Sequence, residues 1–175
     1  MVERDRNVTT GMAMIMVFII TLGLFRGSLS AALMPMIIVA LSVVWLYGTM
    51  GYLGMPLSTL AGSVAALIIG IGIAYAIHIG NIYRFNRRDN TVEESLVESV
   101  EDIGTSIIAS AITTISAFMA FLVGDMPEMH RFGLTMSMGI GYAVLFTIFF
   151  LPAVFTVEER LMKKIRDSIK WRHDF

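Results

Sequence analysis

The chain contains no cysteine. That excludes disulfides and any thiolate metal site, and it leaves the redox compartment unreadable. Its histidines, His78, His130 and His173, are too scattered to form a recognisable metal motif, and no H-E-x-x-H is present. Charge is scarce as well. Asp, Glu, Lys and Arg make up 15% of 175 residues, and none of them lies between Arg26 and Arg84, where His78 is the only imidazole. Intramembrane aspartyl chemistry needs two carboxylates within the bilayer, sharing a proton so that one is acid and the other base. No long apolar stretch of this chain holds even one. No enzymatic activity is therefore expected, and no cofactor, metal or nucleic-acid partner.

What is abundant is hydrocarbon: 56% of the residues are hydrophobic, far more than a soluble domain of this length can hide. This is the composition of a membrane protein. A bilayer core about 30 Å thick needs roughly 20 apolar residues per helix, and the glycines and prolines suggest where to cut. The cuts predict an all-α membrane protein with five transmembrane helices, over residues 8–25, 29–51, 58–83, 104–123 and 132–155.

The basic residues orient these spans. Arg26 follows the first, Arg84, Arg87 and Arg88 follow the third, and Arg160, Lys163, Lys164, Arg166, Lys170 and Arg172 follow the fifth. The positive-inside rule places all three segments in the cytoplasm, with the N-terminus outside. The charge-free "GYLGMPLST" turn and the short "GDMPEMH" turn then fall outside, as does an N-terminus in which Glu3, Arg4, Asp5 and Arg6 cancel. Neither a signal peptide nor a lipidation motif is visible to carry that N-terminus across, so an earlier helix, absent from this sequence, is expected.

Two cytoplasmic segments carry patterns of their own. In "DNTVEESLVESVEDIG" a Thr91-x-x-Glu94 capping box precedes Val92, Leu96, Val100 and Ile103 on one helical face, which predicts a surface helix leading into the fourth span. Thr156-x-x-Glu159 predicts the start of a second, basic amphipathic helix, with Val157, Leu161, Ile165 and Ile169 on one side. Its Lys163, Lys164, Arg166 and Trp171 suit an anionic inner leaflet. The division expected is a transmembrane domain over 1–157 and a basic cytoplasmic tail over 158–175.

The stretch "GIGIAYAIHIGNIYRF" is the most informative. Gly62, Ala66, Gly70 and Ala74 recur every four residues, and with Gly72 they form small-residue positions where another helix approaches closely. Tyr75 and His78, three residues apart, are expected on one face, with Tyr75 about two turns into the hydrocarbon. The fourth span adds the hydroxyls of Ser106, Ser110, Thr113, Thr114 and Ser116. Most such hydroxyls bond back to their own helix, but a polar seam between the third and fourth spans would suit a proton relay.

Three stretches carry a family resemblance: "PMIIVALSVVWLYGTMGYLGMPLS", "GIGIAYAIHIGNIYRF" and "TTISAFMAFLVGDMPEMHRFGLTMSMGIGYAVLFTIFFLPAVF". Together with the acidic surface helix they resemble the membrane domain of the resistance-nodulation-division superfamily, in the branch of hydrophobe exporters similar to the mycobacterial membrane protein large (MMPL) transporters. The resemblance runs over residues 7–157. It implies one half of a transporter: five helices that follow an extracytoplasmic porter domain and pair with a second half about a pseudo-twofold axis. The same block resembles sterol-sensing domains.

The resemblance places the proton relay on the third span, where an Asp-Tyr pair is typical; this chain reads Ala74-Tyr75. Tyr75 matches and Ala74 departs. An aspartate in a low-dielectric seam can load and release a proton, whereas alanine cannot titrate. The function expected is the transmembrane half of an exporter of lipids or other hydrophobic compounds, driven by the proton motive force and lacking the relay acid in this half. The relay candidates are Ala74, Tyr75, His78, Thr113 and Thr114. The expected partners are membrane lipid or hydrophobic cargo, with a second such half or another copy of the chain. The alternative is a standalone sterol-sensing-like module that binds a hydrophobe and needs no protons.

Overall fold

The computed structural model describes residues 2–25, 29–56 and 59–173, with backbone alone at 2–7, 30–31, 59–62, 162–163 and 165–173. Among the described residues five α-helices follow in order: α1 (Val2–Leu24), α2 (Leu29–Tyr52), α3 (Thr59–Asn86), α4 (Val92–Met119) and α5 (Pro127–His173), with a short 3-10 helix, Ala120–Val123, between the last two. No strand occurs among the described residues. Among the described residues four stretches are long and apolar enough to cross a membrane: Ala32–Tyr52, Ser63–Asn86, Val92–Val123 and Pro127–Leu161. The apolar part of α1, Val8–Leu24, is shorter than these.

The solvent for which the bundle is built is written on its outside. Val8, Met12, Ile15, Met16, Ile19 and Ile20 of α1 are all more than half exposed, whereas Thr21 near its end and Phe25 just beyond it are buried. Large apolar side chains pointing outward over whole helices, with no charge among them, suit hydrocarbon and not water.

Each helix end has a local cause. α2 stops in a Schellman motif: Gly54 takes a positive φ of 63°, its N–H donates to Gly51 O at 3.2 Å, and the N–H of Met55 donates to Met50 O at 3.0 Å. α4 starts at the predicted capping box, where the Glu94 N–H donates to Thr91 Oγ1 and the Thr91 N–H donates to Glu94 Oε2 at 3.0 Å. α5 starts at Pro127, whose missing N–H is no loss at the first position of a helix.

Two expected boundaries are absent. The acidic surface helix and the fourth span are one continuous helix, because nothing from Val92 to Met119 stops it; Gly104 is buried inside it. Leu96 is buried and Val92, Val100 and Ile103 are half-buried, so the predicted apolar face does pack. Likewise α5 runs 47 residues, roughly 70 Å at 1.5 Å per residue, and passes residue 157 without a break. Thr156 therefore caps nothing: it lies inside the helix and its hydroxyl donates to Pro152 O at 2.9 Å. Pro152 leaves the Ile148 carbonyl without its usual helical donor, yet Leu151 and Phe155 on either side are buried and hold the helix in register.

α3 packs against each of the other four helices. Its closest neighbours meet it at glycines. A Cβ on Gly72 would lie 3.2 Å from Ala143 Cβ and 3.4 Å from Val39, and a Cβ on Gly139 of α5 would run into Ile68. A Cβ on Gly133 would lie 2.5 Å from the Phe118 carbonyl oxygen, where α5 begins against the end of α4. Gly70, by contrast, faces open space.

Gly133→Ala is expected to destabilise the bundle by about 1–3 kcal/mol, since the obstructing atom is backbone and cannot step aside. Gly70→Ala should leave stability unchanged or raise it by up to about 1 kcal/mol through helix propensity. Thermal melting of the two variants in detergent checks the contrast; equal losses would mean that Gly133 does not sit against α4. Thr91→Ala removes the cap and should cost about 1 kcal/mol, read as faster amide exchange in the first turn of α4.

Candidate functional site

On α3 the resemblance-derived positions divide between two faces. Tyr75 is 6% exposed and belongs to the apolar core, whereas Ala74 and His78 are exposed. Tyr75 and His78 are thus not presented together, although three positions normally share a face: the core boundary of α3 runs between them. Gly72 faces inward against α2 and α5. Ala66 is half-buried, and Gly62 lies outside the residues whose surroundings are described.

The outward side of α3 is a single stripe of Ser63, Leu67, Gly70, Ala74, His78 and Asn81, all exposed. On the neighbouring α4, Ser106, Ser110, Thr113 and Ala117 are exposed at i, i+4, i+7 and i+11, and Thr114 is half-buried. Three of the hydroxyls bond back to their own helix: Thr113 and Thr114 donate to Ser110 O at 2.8 and 2.7 Å, and Ser116 donates to Ile112 O at 2.8 Å. No hydrogen bond joins them to Tyr75 or His78 among the described residues. The expected polar seam is therefore not an enclosed gap between α3 and α4; its groups lie on the outward sides of the two helices.

A second constellation sits where the α3 and α5 spans end. Glu159 Oε1 accepts from Tyr83 Oη at 3.2 Å and from Arg87 Nε at 3.1 Å, and Arg87 also donates to Asn90 O at 3.0 Å. The hydrogen bond to Glu159 holds the Arg87 guanidinium above its ordinary pKa, so it stays charged. Tyr83 stacks on Phe155 with ring centroids 4.5 Å apart, and the Arg84 guanidinium lies 4.4 Å over the Phe25 ring. These contacts tie α1, α3 and α5 together at one end of the bundle.

The sequence pattern alone does not reveal this cluster, because Glu159 also fits a capping pattern. A usable signal was present: Tyr83 and Arg87 are spaced i, i+4 at the end of one span, and Glu158-Glu159 stand one turn beyond Phe155 at the end of another. Of the predicted membrane-surface residues, Lys164 is exposed; the side chains of Lys163, Arg166 and Trp171 lie outside the described residues. No cluster of three metal-ligating side chains occurs among the described residues.

The profile of the MMPL family matches residues 1–174. A membrane protein of Methanocaldococcus jannaschii is 30% identical over 171 residues, covering 97% of this chain and 44% of its own length. Protein translocase subunit SecDF of Brucella abortus is 30% identical over 142 residues, covering 69% of this chain and 18% of its own length. Multidrug resistance protein MdtC of Cronobacter sakazakii is 24% identical over 157 residues, covering 86% of this chain and 15% of its own length. The chain thus spans less than half of each of these relatives. The apolar helices, the order of their motifs and a match over the whole helical bundle lead to one assignment: the chain is a multi-helix membrane domain and belongs to the MMPL family.

Proposed function

We propose that the chain is the transmembrane half of an exporter of lipids or other hydrophobic compounds, driven by the proton motive force, whose second half supplies the titrating acid that Ala74 replaces here. The observation that carries this reading is the outward stripe of α3. An imidazole, an amide and a groove of small residues around Gly70 and Ala74 make a poor lipid-facing surface, since polar groups in hydrocarbon are costly and small residues invite a second backbone. α4, which packs on α3, also carries exposed hydroxyl-bearing residues. Another bundle docked there would enclose Ala74 and His78 and place them in the low-dielectric interface where a proton site works.

The names of the relatives support transport as the broad activity, since one is a translocase subunit and another a multidrug resistance protein. In this reading the domain lies in the cell membrane with its N-terminus outside and the α5 extension in the cytoplasm. Tyr75 contributes from the core side of α3, behind the interface, and Thr113 and Thr114 from α4. The partner is a second half of the same type or another copy of the chain, related to it by twofold symmetry.

The cysteine-free chain allows a direct test. A photo-crosslinker attached at Ala74→Cys in native membranes should capture protein, either a larger polypeptide or a second copy. Capture of lipid alone would sink the paired-half reading and favour a standalone hydrophobe-binding module. In the complete assembly, Ala74→Asp should add a pH-dependent step, read with a pH-sensitive dye in proteoliposomes. Proton flux unchanged at every pH would remove Ala74 from the relay position.

A further inference from the structure

The ends of α3 and α5 enclose a recess of about 350 Å³. It is lined by Arg84, Arg87, Arg88, Glu158 and Glu159, together with the stacked Tyr83 and Phe155 rings. Nothing in the transport reading uses it. We infer that this recess is a binding site for the phosphate head group of an anionic phospholipid, held by Arg84 and Arg88.

Three features point to this occupant. The first is the state of the arginines. Glu159 is already engaged by Tyr83 and Arg87, whereas Arg84 and Arg88 make no ion pair or hydrogen bond among the described residues. Arg84 is steadied by Phe25 at 4.4 Å and Arg88 lies over Phe85 at 6.0 Å. A ring contact engages the charge of a guanidinium and not its full set of five N–H donors, so each of these arginines keeps donors that match a phosphate. The second is the charge of the walls, where three arginines face two carboxylates and leave one positive charge uncompensated.

The third feature is the level in the membrane. The α3 span ends at Asn86 and the α5 span at Leu161, so the recess lies at the boundary between hydrocarbon and water. Lipid phosphates are the anions concentrated at that level, and basic pockets between helices on the cytoplasmic side are suited to them. The aromatic pair gives the lining an apolar part against which a glycerol backbone and the first acyl carbons can rest. The volume is in the range of small-ligand sites.

The test is native mass spectrometry of the full chain released from phosphatidylcholine nanodiscs that carry a minor share of phosphatidylglycerol. Preferential retention of phosphatidylglycerol is expected. Joint substitution of Arg84→Gln and Arg88→Gln should reduce it roughly tenfold or more, since each charge-assisted contact is lost. Arg131→Gln, at the other end of the bundle, should not reduce it. Glu158→Gln removes the carboxylate whose charge competes with a phosphate for Arg84 and should increase retention, so the reading survives even if the double variant does not fold. Equal retention of the two lipids, or no response to Glu158→Gln, would overturn the site. So would displacement of the lipid by inorganic phosphate, which would make the ligand a free anion.

Discussion

Everything in this bundle depends on how closely α3 can approach α5. Two glycines set that distance: Gly72 on α3, against Ala143 and Val39, and Gly139 on α5, against Ile68. In a membrane, helices gain little from leaving lipid for one another, since both surroundings are apolar. Association then rests on dispersion between close-packed surfaces, and dispersion fades over fractions of an ångström. Residues with no side chain at these crossings allow Ile68, Leu46, Met136 and Ile140 to be fully buried around them. α3 becomes the axis on which the other helices lean.

Because α3 is central, its two sides have different work. The inward side, with Ile68, Ile69, Tyr75, Ala76 and Ile79, is spent on the core. The outward side is small and polar, and a Cβ at Gly70 would meet nothing. A helix that is tightly bound on one side and bare on the other suits a domain that presents a preformed surface to a partner, because the partner then need not reorganise the bundle on docking. Ala74, the residue we propose to stand at the proton-relay position, lies on the bare side.

The charged groups are confined to the ends of the helices, and there they do mechanical work. The Tyr83, Arg87 and Glu159 network clamps the last turn of α3 to α5, just past Pro152. An exposed ion pair contributes little by itself. Shared between a stacked tyrosine and a half-buried arginine, it gains a fixed geometry that an isolated surface pair lacks. The same geometry keeps Glu159 occupied and leaves Arg84 and Arg88 facing the recess.

The sequence by itself determined the class of the molecule. A charge-free run from Arg26 to Arg84 cannot be anything but membrane-embedded helix once backbone groups must bond internally, and the Thr91–Glu94 box marked the start of α4 because capping is a local interaction. Only the tertiary structure decided that α4 and α5 each run through an expected break. A capping pattern such as Thr156–Glu159 favours a helix start but does not compel one, and packing of Leu151 and Phe155 overrode it. It also decided that Tyr75 is inside while His78 is outside. Sequence spacing specifies which residues share a helix face, but the width of the buried sector is set by the number and closeness of the neighbouring helices. Those neighbours, meeting at Gly72 and Gly139, are far apart in the chain.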